Sequence, residues 1–162
     1  MDVVHQNYQD LYRFVYRMAG NRETAEDIVQ ETFLRWSREI PSLPDANAKR
    51  RWLFVVARNL CISQFRRKGK FLETPLGEGE ELHASDGNPS DSLLEDERTQ
   101  IVKQAVLSLP PLLREILVLR EFEGMNYLDI ASVVGCPIGT VRSRLAKARN
   151  LLMEKLQPYV EA

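Results

Sequence analysis

Two groups of side chains in this 162-residue chain have the types and spacing to handle nucleic acid. In the first, Thr140, Arg142, Ser143, Arg144 and Lys147 crowd together, with Arg149 just beyond. A guanidinium can fork onto the acceptor edge of guanine, giving ~1–3 kcal/mol of base discrimination per good pair. Lys147 and Arg149 lie further along and suit phosphates, which position a protein without specifying sequence. In the second, Asn59, Ser63, Arg66 and Arg67 recur at intervals that share one side of a helix, Lys68 follows, and Trp52 stands two turns before Asn59. Such a mixture suits unpaired bases, because rings stack, amides read base edges and cations follow the backbone. A plainer reading also fits: Trp52 inside a core, and Arg66, Arg67 and Lys68 completing the dipole of a helix C-terminus.

The elements that must carry the first group are legible between Met125 and Arg149. Ile130, Ala131 and Val134 form one apolar stripe, Ala131 being small where a second helix crosses. Gly135 predicts a turn with positive φ. Pro137 suits the first turn of the next helix, and Val141 and Leu145 pin that helix inward. This is a helix-turn-helix pattern, whose second helix enters the major groove.

The rest also reads as helix. Tyr8, Leu11, Tyr12, Val15 and Ala19 share a face, and Gly20-Asn21 ends it. Thr24 with Asp27 makes a capping pair for a second helix, with Ala25, Ile28, Val29, Phe33 and Trp36 inward and Asp27, Gln30, Glu31 and Arg35 on a polar face. Pro41 and Pro44 bracket a loop to about Lys49, and a third helix spans Arg50 to Lys68. Leu109, Leu112, Leu113, Ile116 and Leu117 mark another, begun by Pro110-Pro111. The expected fold is all-α: a helical bundle over 1–70, a flexible acidic linker over 71–98 and a helix-turn-helix domain over 99–162.

Composition narrows the functions. The net charge of -1 conceals a partition: a surplus of five positive charges over residues 1–70, of eight negative charges over 71–100, and of two positive charges over 101–162. The middle stretch, rich in Gly, Pro, Ser, Asp and Glu, cannot bury enough apolar surface to offset its ordering entropy. No apolar run is long enough to span a membrane, and the N-terminus lacks a signal-peptide design, so a cytoplasmic protein is expected. Cys61 and Cys136 lack metal-ligand or redox spacing, and His5 and His83 have no neighbours of ligand type. No spacing of nucleophile, metal ligands or phosphate loop points to an enzyme, and no cofactor is expected.

With both halves in view the chain resembles a bacterial RNA polymerase sigma factor of the extracytoplasmic-function (ECF) group within the sigma-70 family. Ala25-Glu26-Asp27-Ile28-Val29-Gln30-Glu31-Thr32-Phe33 resembles the core-binding helix of region 2. Trp52 to Leu60, including Arg58 and Asn59, followed by Phe65-Arg66-Arg67, resembles the helix that melts and reads the −10 element. Leu107-Ser108-Leu109-Pro110 and Cys136 to Leu145 resemble region 4. The resemblance implies that Asp27, Gln30, Glu31 and Phe33 grip core polymerase. It implies that Trp52, Arg58, Asn59, Ser63, Arg66, Arg67 and Lys68 meet single-stranded −10 DNA, the loop from Pro41 to Lys49 with Asn59 forming a pocket for a flipped base. It implies that Thr140, Arg142, Ser143, Arg144, Lys147 and Arg149 meet the −35 duplex, that the linker threads the polymerase channel, and that an anti-sigma factor controls the protein. Ser63 stands where many members carry Asp, and Ala146 where some carry a bulkier residue, which leaves the promoter sequence open. A free-standing helix-turn-helix regulator would also explain residues 125–149, but gives the Asp27–Phe33 and Asn59–Arg67 faces no purpose.

Overall fold

The computed structural model describes residues 3–39, 42–69 and 96–160, and among these the regular secondary structure is helical throughout. Helix α1 (Val3–Ala19) buries Leu11, Phe14, Val15 and Met18 completely. The apolar stripe is thus rotated toward Phe14 and Met18 relative to the expected face. Tyr8, Tyr12 and Tyr16 are left as a ladder of rings, 6.4 and 6.1 Å apart, along its shoulder. The chain turns at Gly20, with φ +85°. Helix α2 (Arg22–Glu39) is capped by Asn21, whose Oδ1 accepts from the Thr24 amide at 2.8 Å. Thr24 therefore lies inside the helix, and the expected Thr24–Asp27 pair is replaced by the earlier Asn, a stronger capping residue.

Helix α3 (Ala46–Arg67) starts four residues before the expected Arg50, because Asp45 accepts from the Ala48 amide at 2.8 Å and fixes the first turn. The loop expected to run from Pro41 to Lys49 is correspondingly shorter. Leu53, Phe54, Ala57, Cys61 and Ile62 are the buried face of α3, with the Phe54 ring 5.5 Å from Phe14.

The expected linker lies almost entirely outside the described residues. Its last part belongs to the second half: Asp96 caps helix α4 (Glu97–Leu107) through the Thr99 amide at 2.8 Å. Helix α5 (Pro111–Leu117) starts at the expected Pro pair and is buried along its whole length. A π-helical turn (Val118–Phe122), which the periodicity did not anticipate, continues it. Helix α6 (Tyr127–Val134) begins on an Asn126 cap and ends at Gly135, φ +72° and ψ 42°, where the amides of Gly135 and Cys136 both donate to the Ala131 carbonyl. Helix α7 (Ile138–Val160) follows.

The two expected helical domains are present, and beyond what the sequence predicts they close on each other and share one hydrophobic core. Leu11, Met18, Leu53 and Ala57 from the first half belong to the same cluster as Val106, Leu109, Ile116 and Val134 from the second. Helix α1 packs against α4 and the π turn, and α3 against α6. Gly20 sits in this seam. A Cβ there would come within 3.0 Å of Leu107 Cδ1, at a φ that L-residues avoid. Gly20→Ala is expected to lower the unfolding free energy by about 1–3 kcal/mol, read as a lower midpoint in urea with an unchanged slope.

Candidate nucleic-acid interface

Helix α7 presents its two sides as the spacing predicted. Val141, Leu145 and Ala148 are buried and fix its orientation against α5 and α6. Arg142, Ser143 and Arg149 are exposed, while Thr140, Arg144 and Lys147 are half-buried at the flanks. The Ser143 hydroxyl donates to the Thr140 carbonyl at 3.1 Å, so it is turned back along its own helix. Arg149 is held by Glu121 of the π turn, with Nε 2.7 Å from the carboxylate. A phosphate reaching Arg149 would exchange one anion for another, at small cost, because exposed ion pairs contribute little.

On α3, Asn59, Ser63, Arg66, Arg67 and Lys68 are all exposed. Two members of the expected −10 set stand apart from them. Trp52 packs edge-on against Trp36, ring centroids 5.5 Å apart and planes at 71°, so core packing accounts for its ring. Arg58 crosses the seam and forks onto Glu115 of α5, Nε to Oε1 at 2.6 Å and Nη2 to Oε2 at 2.9 Å. Glu115 has no solvent exposure at all. Burial pushes its carboxyl above the usual range, against the opposite pull of Arg58. Burial alone would lower Arg58, but its hydrogen bonds and charge contact with Glu115 hold it above its ordinary value. A second bridge over the seam joins Arg51 to Asp129 of α6 at 3.3 Å.

The polar face of α2 carries Asp27 and Gln30 exposed, and Glu31 half-buried beside Arg35 at 3.1 Å. Phe33 is placed differently, against the core and 6.1 Å from the Tyr8 ring. The described residues contain no group of three or more His, Cys, Asp or Glu able to hold a metal ion. Burial pushes the Cys61 thiol up to about 12 and raises that of Cys136 as well, so neither is an activated nucleophile.

Sequence reasoning missed the seam residues Arg114 and Glu115. Both are charged residues inside the apolar run Leu112 to Leu119, and that mismatch was the available signal. Arg114, 5% exposed, donates to the carbonyls of Met18, Leu107 and Leu109, the last two at 2.7 and 2.9 Å. Burial pulls its guanidinium down to about 10, which leaves it charged at neutral pH.

Residues 3–71 match the family model of sigma-70 region 2, and residues 99–152 match that of sigma-70 region 4. The ECF sigma factor SigW of Bacillus subtilis is 32% identical over 96% of this chain and 88% of its own length. The chain belongs to the ECF RNA polymerase sigma factors. SigE of Mycolicibacterium smegmatis, also an ECF sigma factor, is 36% identical over 98% of the chain, which spans 62% of that longer protein. Among solved structures, the sigma factor RpoE of Bartonella quintana, crystallised with the anti-sigma factor NepR, matches with a TM-score of 0.72 at 28% identity, over 95% of this chain and 94% of that one. That match takes in both helical halves of this chain. Membership makes it an initiation factor, not an enzyme. None of its described helices is long and apolar enough to cross a membrane.

Proposed function

We propose that this sigma factor directs core RNA polymerase to a defined class of promoters and helps open them, with residues 1–70 acting as region 2, 71–98 as the linker and 99–162 as region 4. The exposed edge of α2 (Asp27, Gln30 and Glu31, backed by Phe33) meets the polymerase. Asn59, Ser63, Arg66, Arg67 and Lys68 on α3 meet the separated −10 strand, joined by Arg58 once it leaves Glu115. Trp52 contributes by holding α3 in place. Arg142 and Arg144, with Thr140, Ser143, Lys147 and Arg149, meet the −35 duplex, with bases read near the start of α7 and phosphates further on. The acidic linker passes through the polymerase channel. The protein works in the cytoplasm, where an anti-sigma factor of the kind bound to the Bartonella RpoE holds it inactive.

One observation carries this reading: a cationic helix-turn-helix and a separate basic, amide-bearing helix face occur in one chain beside an exposed acidic helix edge. A duplex-only regulator needs the first alone. Run-off transcription with purified core polymerase is the test. Start-site-specific transcripts are expected with this protein and not without it. Arg144→Ala should flatten preference among −35 variants by about tenfold, equivalent to ~1.4 kcal/mol, while leaving polymerase binding intact. Absence of specific transcripts on a library of promoters would overturn the proposal.

A further inference from the structure

The ion pairs that cross the seam share one polarity. Among the described residues, each takes its guanidinium from the first half and its carboxylate from the second: Arg17 and Arg50 with Glu123, Arg51 with Asp129, and Arg58 with Glu115. Arg17 and Arg50 are built into the fold. Arg17 lies over the Phe122 ring at 4.3 Å, and Arg50 lies over the Phe54 ring at 4.8 Å and bonds Asp10 of its own half at 2.7 Å. Arg51 is held more lightly. Its hydrogen bond to Asp129 is 3.3 Å long, the two side chains are 34% and 22% exposed, and a cleft of about 210 Å³, lined also by Asn47 and Asn126, opens beside them. Arg51 also precedes Arg58 by seven residues. The two side chains therefore leave α3 on one row, about 10 Å apart along its axis. That row borders the exposed one, where Arg58 Nη1 donates to Asn59 Oδ1 at 3.2 Å.

We infer that Arg51 is a further phosphate-binding residue for the separated −10 strand, and that Asp129 takes the place of a phosphate on it while the halves are closed. The inference rests on the assignment of α3 to that strand and extends it toward the start of the helix. A carboxylate and a phosphate present similar paired anionic oxygens to a guanidinium fork, so the two compete for it. Asp129 gives up the contact at small cost, because a partly exposed pair contributes little. The strand has a further advantage: binding its phosphate releases condensed counterions, which binding a carboxylate of the same chain does not. Phosphate contacts carry no sequence information. Arg51 thus fixes the register of the strand on α3 and leaves the reading of bases to Asn59 and its neighbours.

The test is binding of the full chain to a fluorescent single-stranded oligonucleotide carrying a −10 element, titrated across a range of salt. Arg51→Ala should weaken binding by a similar factor for every base substitution in the element. It should also lower the slope of log K against log salt by about 0.7, the share of one single-strand phosphate. Arg51→Lys should keep the parental slope, since the ammonium retains the charge. Asp129→Asn should tighten binding by about two- to fivefold when Arg51 is present and have no effect beside Arg51→Ala. Each variant is expected to keep the parental urea midpoint, so a loss of binding reads the contact and not the fold. An Arg51→Ala slope equal to the parent's overturns the inference. So does a weakening confined to one base substitution, which would make Arg51 a base reader. The pair Arg66→Ala with Arg67→Ala separates this failure from that of the wider reading. If that pair lowers the slope and Arg51→Ala does not, the −10 assignment stands and the Arg51 contact falls. If Arg51→Ala alone lowers it, the contact stands and the assignment of the cations at the end of α3 falls.

Discussion

Arg114→Met will cost this protein about 3 kcal/mol or more of unfolding free energy, among the largest losses available from a single side chain in the chain. The guanidinium is a three-way clasp: it bonds the Met18 carbonyl at the end of α1, the Leu107 carbonyl at the end of α4 and the Leu109 carbonyl before α5. Helix C-termini leave carbonyls without intrahelical partners, and here a single buried side chain supplies donors to two of them. Hydrogen bonds to a charged donor contribute ~1.5–3 kcal/mol each. The desolvation of the guanidinium, which burial already pulls down to about 10, offsets part of that sum. Met fills the stem volume, so the loss isolates the polar clasp from packing. Arg114→Lys should rescue little, because an ammonium on a flexible stem cannot fork onto three diverging carbonyls. Urea unfolding of the three proteins checks this. A Lys variant as stable as the parent would show that charge alone suffices.

The clasp also shows where sequence reasoning stopped. Local chemistry was readable: Gly135 in a left-handed turn, Pro110-Pro111 at a helix start and Val141 with Leu145 facing inward all follow from the constraints on single residues and one helical period. Cap competition was harder, since Asn21 outranks Thr24 and Asp45 extends α3 backward, and each shifts a boundary by a few residues. The closing of the two halves was not readable. A period of 3.6 says which face is apolar but not what covers it, and the same leucines of α5 would serve a separate region 4 equally well. Only Arg114 and Glu115, charges stranded in an apolar run, hinted that something polar from elsewhere must meet them. The candidate site divides likewise: exposed residues on α7 and α3 lie where spacing put them, whereas the partners of Arg58 and Arg149, separated by 57 and 28 residues, come from the tertiary fold.

Glu115→Ala is the second large effect, and its consequences reach function. The substitution leaves the Arg58 guanidinium facing an apolar hole in the seam. Removing one member of a buried pair costs about 3–5 kcal/mol. The value here belongs at the lower end, because the Arg58 side chain is 16% exposed and can swing toward water. Replacing both partners, Arg58→Met with Glu115→Met, should recover most of the loss, since an apolar pair of similar volume carries no desolvation penalty. The two variants therefore separate electrostatic locking from packing: a double variant no more stable than Glu115→Ala would make packing distortion the cause. Amide exchange across α3 and α5 gives the local view, with faster exchange expected along the seam in Glu115→Ala and near-parental rates in the double variant. On the proposed function the two diverge again. Glu115→Ala frees Arg58 and loosens region 2 from region 4, so its binding to a forked −10 template should strengthen. The double variant keeps the halves closed and lacks the arginine, so its binding should weaken. If both bound that template as the parent does, the seam would have no part in gating the −10 face.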